Sequence, residues 1–590
     1  MIKKSDILNF FEDENQARKE QIKELYSLDL EERIDKRKAI ANVMFDPEYK
    51  EFRLGYQIRK AYAPVNMSDF KAGEYLTIHR ASPFSPDGEC NLFDILDDGA
   101  LLLGFDGFGR VHNIDKIIEE NKIEQFILDK SNMDMSKIYD AGFAAIKKEH
   151  IELINDIPAP RFSGEKKDII REIYDAEKRF PLHLTNSQRE AIANAMMAED
   201  YYLIQGPPGT GKTHVIVMLL LELMLYKKER VVVSGPNHMA INSVLSKLCG
   251  ICDSLSDVTL KVGQEFNTIG LEYCIKHGEL HTVRNLERID STKVNNWRNE
   301  EVGLTVGCTP FHMHTSRARG LSVDTLIIDE AGQMNIGLAL MAMSCAKRVI
   351  FVGDHKQMSP IFSCAKHSEE LKKSIFEHLY RDYNCTILDT TFRMNAPICH
   401  LVSECFYNGA LQSGIPDKRL DLYPLPKDVV LSADTPIVVK NIAHTGTNIS
   451  EEEADFCVST IVKYISKHQC RACDIAVIAP FRAQCALIRR KLSAYKDIMA
   501  HKSIIVETVD RMQGQEREMV FISLAAGDLG YMSELTNFIF NPNRFNVALS
   551  RAKNKLFIVG NIDAIKAVAN ETNCNWLSNL LCSEYVTEVE

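Results

Sequence analysis

YYLIQGPPGTGKTHVIVMLLLELML, residues 201–225, is the stretch from which the fold is read. The apolar run YYLIQ predicts a buried strand. The loop that follows fits GxxxxGK[ST], with Gly206, Pro207, Pro208, Gly209, Thr210, Gly211, Lys212 and Thr213 in the eight places. In such a loop the glycines let backbone N–H groups curl around phosphates, and the lysine reaches the terminal phosphates. The threonine hydroxyl can ligate Mg²⁺. A long apolar helix comes next. Strand, loop and helix in this order point to a nucleotide site, so a nucleotide with Mg²⁺ is expected.

Beyond this stretch the same pattern repeats. RVVVSGP, VGLTVGC, DTLIIDE and RVIFVGD continue a first series of apolar strands alternating with helices. A second series is CTILDTT, TPIVVKN, IAVIAPF, SIIVETV, EMVFISLA and KLFIVGN. Near-continuous apolar strands between helices predict parallel sheets covered on both faces, here two of them meeting near residues 365–384. Asp329 and Glu330 close a buried strand, where a carboxylate pair has no packing reason to sit. Asp329 is expected on Mg²⁺ and Glu330 as base for the attacking water. Gln357, one turn beyond a strand ending in Gly353 and Asp354, is placed to sense the γ-phosphate. NRFNVALSRAKNK, residues 543–555, reads as a short amphipathic helix with Val547, Ala548 and Leu549 buried and its basic groups in water.

The ordered set resembles the superfamily 1 helicases, B branch, in the group of the nonsense-mediated-decay RNA helicase and the immunoglobulin-mu-binding helicase. The resemblance covers about residues 180–562. LTNSQREAI, SGPNHMAIN, TVGCTP, DEAGQ, GDHKQMSP, LDTTFRMNAPI, APFRAQ, ETVDRMQGQE and FNVALSRAK carry it. It implies two RecA-like P-loop domains in tandem, an α/β fold, with ATP between them. Gln188 is then expected on the adenine edge, Phe392 on the base and Glu516 on the ribose. Arg393 and Arg551 are expected to reach the γ-phosphate from the second domain. Phe392 stands where the family usually has tyrosine. The nucleic-acid track is expected along Pro236, Asn237, His238 and Thr309, then Pro480, Phe481, Arg482, Thr508, Val509 and Asp510. In motif Ia, Asn242 replaces the acid often found there. The resemblance implies 5′-to-3′ movement on single-stranded DNA or RNA. The alternative is a nucleic-acid-stimulated ATPase acting as a clamp or switch in a larger complex, with little unwinding.

Upstream, residues 1–51 are charged with helical spacing and residues 52–115 show short alternating runs split by Gly and Asp. Helical periodicity returns at 116–180. A small β-rich, barrel-like domain on helical stalks is expected, followed by motor domains at 181–375 and 376–590. A helical insertion is expected at about 243–303. The net charge of −11 argues against a generally basic surface but leaves room for a local basic groove. The N-terminus meets acidic residues before any long apolar run and is not expected to be a secretory signal. VIVMLLLELML is too short to span a bilayer and carries Glu222. Sixteen cysteines are expected as free thiols in a reducing, intracellular setting. Cys249/Cys252, Cys470/Cys473 and the His312/His314 pair are expected to hold no metal. Protein partners are expected to supply targeting, and a monomer is the expected state.

Overall fold

A computed structural model describes residues 1–589 except 54–55, 67, 97, 107, 121–124, 133, 265–266, 276–277, 496–502, 513 and 573. Gly55 and Gly107 of the β-rich segment, and Gln513 of the ETVDRMQGQE stretch, therefore lie outside the described residues.

The phosphate-loop strand Tyr201–Gln205 sits inside an eight-stranded sheet in which every neighbouring pair is parallel. From one edge its strands are Arg284–Leu286, Thr259–Val262, Leu304–Gly307, Arg230–Ser234, Val323–Ile328, Ala346–Gly353, Tyr201–Gln205 and Cys385–Ile387. A second, six-stranded parallel sheet runs Ile505–Glu507, Ile475–Ile478, Arg517–Ser523, Ala552–Gly560, Ile437–Asn441 and Val586–Val589. Residues 215–224 of the helix Lys212–Leu225 are all buried, and all of them but Glu222 are apolar, as in a helix covered on every side. Its Glu222 is fully buried, and burial followed by Glu172 pushes that carboxyl up to about 7. Among the described residues no helix is long and apolar enough to cross a membrane.

The N-terminal β-rich unit is a closed six-stranded barrel, larger than the sequence suggests. It opens with Ala39–Arg53 and closes with Phe126–Lys130, so strands replace helix at both ends of the expected 52–115 span. The misreading has a physical cause. Ala39–Arg53 carries charged residues on its solvent side and shows no uninterrupted apolar alternation. The helix Lys4–Ser27 packs on the first sheet's half, where Phe11 stacks on Tyr139 at 4.6 Å and fits against Gly337.

Two further boundaries differ. Cys385–Ile387 pairs with Leu203–Gln205, so it completes the first sheet instead of starting the second at 376. Among the described residues the 243–303 segment is helical at its start, where His238–Ile251 runs into it, in a 3₁₀ helix at Asp253–Val258 and at Ser291–Asn295. Thr259–Val262 and Arg284–Leu286 extend the first sheet at one edge, and Glu272–Cys274 pairs with Leu280–Thr282. These strands are three or four residues long, too short to show periodicity. All sixteen cysteines are free.

Candidate nucleotide site and nucleic-acid track

In the first sheet the expected residues follow the C-terminal ends of strands, where parallel sheets place their ligands. The phosphate loop follows Tyr201–Gln205, Asp329 and Glu330 follow Val323–Ile328, and Gln357 lies just beyond Ala346–Gly353. Gly209 and Gly211 have φ of +74° and +79°, which glycine adopts without a Cβ penalty. A Cβ on Gly206 would stand 2.2 Å from Lys212 Cγ, so the lysine needs that glycine in order to fold over the loop. Lys212 Nζ donates to the Gly206 carbonyl at 2.9 Å. Gln188 braces the loop from outside. Its Oε1 accepts from Thr185 N–H at 2.8 Å and its Nε2 donates to the Thr210 carbonyl at 2.9 Å.

Asp329 is buried, and burial followed by Glu330 holds its carboxyl well above the ordinary range, with Lys212 pulling against them. Glu330 sits at φ +54°, a conformation that costs a non-glycine residue roughly 1–3 kcal/mol and clusters at functional sites. Gln333 Nε2 donates to its Oε2 at 2.6 Å and fixes the carboxylate's direction.

The second sheet contributes from its other end. Glu516 immediately precedes the strand Arg517–Ser523, and Arg551 precedes Ala552–Gly560. Arg551 is 2% exposed. That corrects the reading of its stretch as a helix with basic groups in water. The helix Pro542–Leu549 ends before it, and the guanidinium turns inward, donating to the carbonyls of Val547 at 3.0 Å and Gln515 at 3.1 Å. Burial, then Arg393, pushes it down to about 9, while Glu330 of the first sheet's half and Glu516 pull it back. The acid expected to act as base and the arginine expected to act as finger therefore feel each other across the cleft.

Arg393 and Glu516, expected on different parts of the nucleotide, are paired here at 2.6 Å. Lys553, which sequence reasoning did not single out, binds the other Glu516 oxygen at 3.0 Å. Burial alone would raise the Glu516 carboxyl, but Arg393 and Lys553 outweigh it and hold it low. The segment 391–393 also lies on the phosphate loop. Thr391 Oγ1 donates to the Pro208 carbonyl at 2.7 Å and Phe392 N–H to that of Gly209 at 2.9 Å. The Phe392 ring is left 49% exposed beside the loop.

The expected track residues also follow strand C-termini, after Arg230–Ser234, Leu304–Gly307, Ile475–Ile478 and Ile505–Glu507. Asn237 caps the helix His238–Ile251 through Ala240 N–H, and Thr309 caps Pro310–Met313. His238 Nδ1 lies 2.9 Å from the buried Lys261 Nζ. Phe481 packs beside Tyr531 and Phe538 at 6.3 and 5.7 Å, and Asp510 pairs with Arg544 at 3.2 Å. Arg482 is exposed, Pro480 and Thr508 are half-buried, and Val509 follows Thr508 in a short 3₁₀ turn.

A cavity of about 910 Å³ opens beside Arg482 and Thr508, walled by the N-terminal helix, the barrel and the second sheet's half. Eight Lys and Arg against three Asp and Glu line it, in a chain of net charge −11. Arg511 crosses it to Asp69 at 3.1 Å, tying barrel to second sheet. Lys36, Lys38 and Arg482 have no acidic partner at ion-pair distance among the described residues. Burial, with Lys130 and Arg482 nearby, holds the Lys38 ammonium below its ordinary value.

Two family models, both described as AAA domain, match residues 183–295 with 304–363, and residues 371–563. Regulator of nonsense transcripts 1 of Dictyostelium discoideum is 28% identical over 415 residues, 64% of this chain and 31% of that protein. The chain belongs to the superfamily 1 helicases of this group. Two more relatives of this helicase-family chain come from Schizosaccharomyces pombe. The DNA replication ATP-dependent helicase/nuclease dna2 is 26% identical over 412 residues, 65% of this chain and 28% of that protein. The DNA polymerase alpha-associated DNA helicase A is 25% identical over 598 residues, 89% of this chain and 86% of that protein. The chain thus spans under a third of two of these relatives and most of the third.

Proposed function

We propose that this chain is an ATP-driven translocase on single-stranded nucleic acid that unwinds duplexes, built on two RecA-like domains in tandem. The observation that carries the reading is the cleft. The C-terminal edge of one parallel sheet presents the phosphate loop, Asp329, Glu330 and Gln357, and the second sheet's half faces it with Arg393 and Arg551. In that arrangement hydrolysis needs both halves, so opening and closing of the cleft is linked to the state of the nucleotide.

The residues fit a magnesium nucleotide. Asp329 is a buried carboxyl whose charge is offset by Lys212 and by the Glu330 N–H. The Thr213 hydroxyl has no protein partner among the described residues. These two would hold the ion, which when bound neutralises phosphate charge. Lys212 would orient the terminal phosphates, Phe392 would stack on the base, and Gln188 would keep the loop in shape behind it. Glu330, aimed by Gln333, takes the proton of the attacking water. Arg551 and Arg393 balance the charge that grows on the transferred phosphoryl group, and the Glu516 oxygen that Arg393 releases turns to the ribose while Lys553 keeps the other.

The basic cavity continues the track from Arg482 and Thr508 toward the barrel, and its unpaired cations suit a phosphate backbone. Relatives named for DNA and for transcripts leave the sugar to be measured. Steady-state ATP hydrolysis at low salt, with no nucleic acid, single-stranded DNA, single-stranded RNA or duplex, is expected to rise strongly with one single strand. No stimulation by any of them, with real basal turnover, would replace the motor by a switch. A strand-displacement assay on mixed-polarity duplexes is expected to show 5′-to-3′ movement. Lys38→Glu and Arg482→Glu are each expected to weaken strand binding and to reduce the slope of log affinity against log salt by about 1. An unchanged slope would take the cavity out of the track.

A further inference from the structure

Asp354 follows the strand Ala346–Gly353 and is 3% exposed. Four donors reach its carboxylate. Gln205 Nε2 at 3.0 Å and Lys356 N–H at 3.1 Å bind Oδ1, and Gln357 Nε2 at 2.7 Å and the Tyr407 hydroxyl at 2.6 Å bind Oδ2. Three of these belong to the first sheet's half. The fourth does not: Tyr407 follows the helix Ala396–Phe406 and is part of the core beneath the second sheet.

The hydroxyl of Tyr407 in turn accepts from Asn546 Nδ2 at 2.8 Å, and the same amide donates to the Lys356 carbonyl at 2.6 Å. Asn546 lies in Pro542–Leu549, the helix that delivers Arg551. Burial, then Asp354, pushes the Tyr407 phenol far above its ordinary range, so it is a permanent donor at neutral pH. Phenylalanine would fill the same space. The hydroxyl is therefore explained by the bond it makes across the cleft, since burying it unpaired is costly. Oδ1 of Asn546 is buried with no donor among the described residues. A network kept only for stability would be fully satisfied, whereas an unused acceptor suits a contact with a second setting.

We propose that Asp354, Tyr407 and Asn546 form a relay between the γ-phosphate sensor and the arginine finger. Gln357 and Tyr407 share Oδ2 of Asp354. When Gln357 turns to a bound terminal phosphate, that oxygen keeps one donor, its hold on Tyr407 tightens, and the helix Pro542–Leu549, which leads into Arg551, is drawn toward the nucleotide. Tyr407 is a positioning residue, since it touches no reacting atom. The inference rests on the functional reading above.

The test uses the full chain. Tyr407→Phe is expected to keep the melting temperature and the KM for ATP within about twofold, and to lower kcat by about tenfold both with and without nucleic acid. Asn546→Leu, similar in volume, removes the other end of the relay and is expected to do the same. The double variant is expected to be no worse than the worse single one. A kcat within about twofold of wild type in both variants, or a KM for ATP that rises as far as kcat falls, would overturn the relay. A wild-type protein with no stimulation at all would instead overturn the functional reading, and the relay with it.

Discussion

Arg551→Ala is expected to bind ATP with nearly unchanged affinity and to hydrolyse it about 10³-fold or more slowly, the range measured when an arginine finger is supplied or withdrawn. The environment of the side chain is the reason. A guanidinium 2% exposed, held by two backbone carbonyls and pushed down to about 9, is an expensive charge to keep. Its compensation at present is the field of Glu330 and Glu516. The larger compensation comes only when phosphate charge develops opposite it, so its loss falls on kcat. Arg551→Lys is expected to be nearly as slow, because an ammonium cannot hold the two carbonyls and still present a planar fork. Nucleotide fluorescence titration beside single-turnover hydrolysis checks this. Near-normal hydrolysis in the alanine variant would discard the finger assignment.

Glu330→Gln is expected to fold, to bind ATP and to lose about 10²–10⁴-fold in turnover, the usual contribution of a positioned general base. Folding should survive because Gln333 can bond to an amide at residue 330 as it does to the carboxylate. The strained φ of +54° is set by the backbone and is left as it is. Trapping ATP on the variant in a filter-binding assay, with turnover measured in parallel, separates the two quantities. Failure to bind ATP would assign Glu330 a structural role instead.

Most strands of both sheets were legible because each is a short, continuous apolar run between helices, as in LIIDE and RVIFVGD, whereas Val586–Val589, at the edge of the second sheet, carries alternating polar residues and was not. The phosphate loop was legible for a different reason, since its chemistry is local and needs consecutive residues. What was hidden depends on contacts distant in sequence. Tyr407 meets Asp354 across 53 residues and Asn546 across 139, and Tyr407 itself stands in none of the stretches that the sequence singled out. The burial of Arg551 was hidden likewise, because the helix before it is amphipathic and one of the carbonyls that hold it, that of Gln515, is distant in sequence. The edge strands at 259–262 and 284–286 were missed for their length, and Lys261, buried in one of them, reads as a surface residue in any window.

The pairing of Cys385–Ile387 with the phosphate-loop strand sets where this chain can be divided. A fragment ended at residue 376 would leave Tyr201–Gln205 as a bare outer strand, apolar on both faces and with its hydrogen-bonding groups open to any other extended chain. Such a fragment is expected to aggregate on expression, whereas one carried past residue 388 keeps the strand sealed. Light scattering of the two fragments at equal concentration would tell them apart. The two halves are interlocked at this seam, because the ribbon of chain that carries Arg393 begins just beyond Ile387, at Thr390–Thr391.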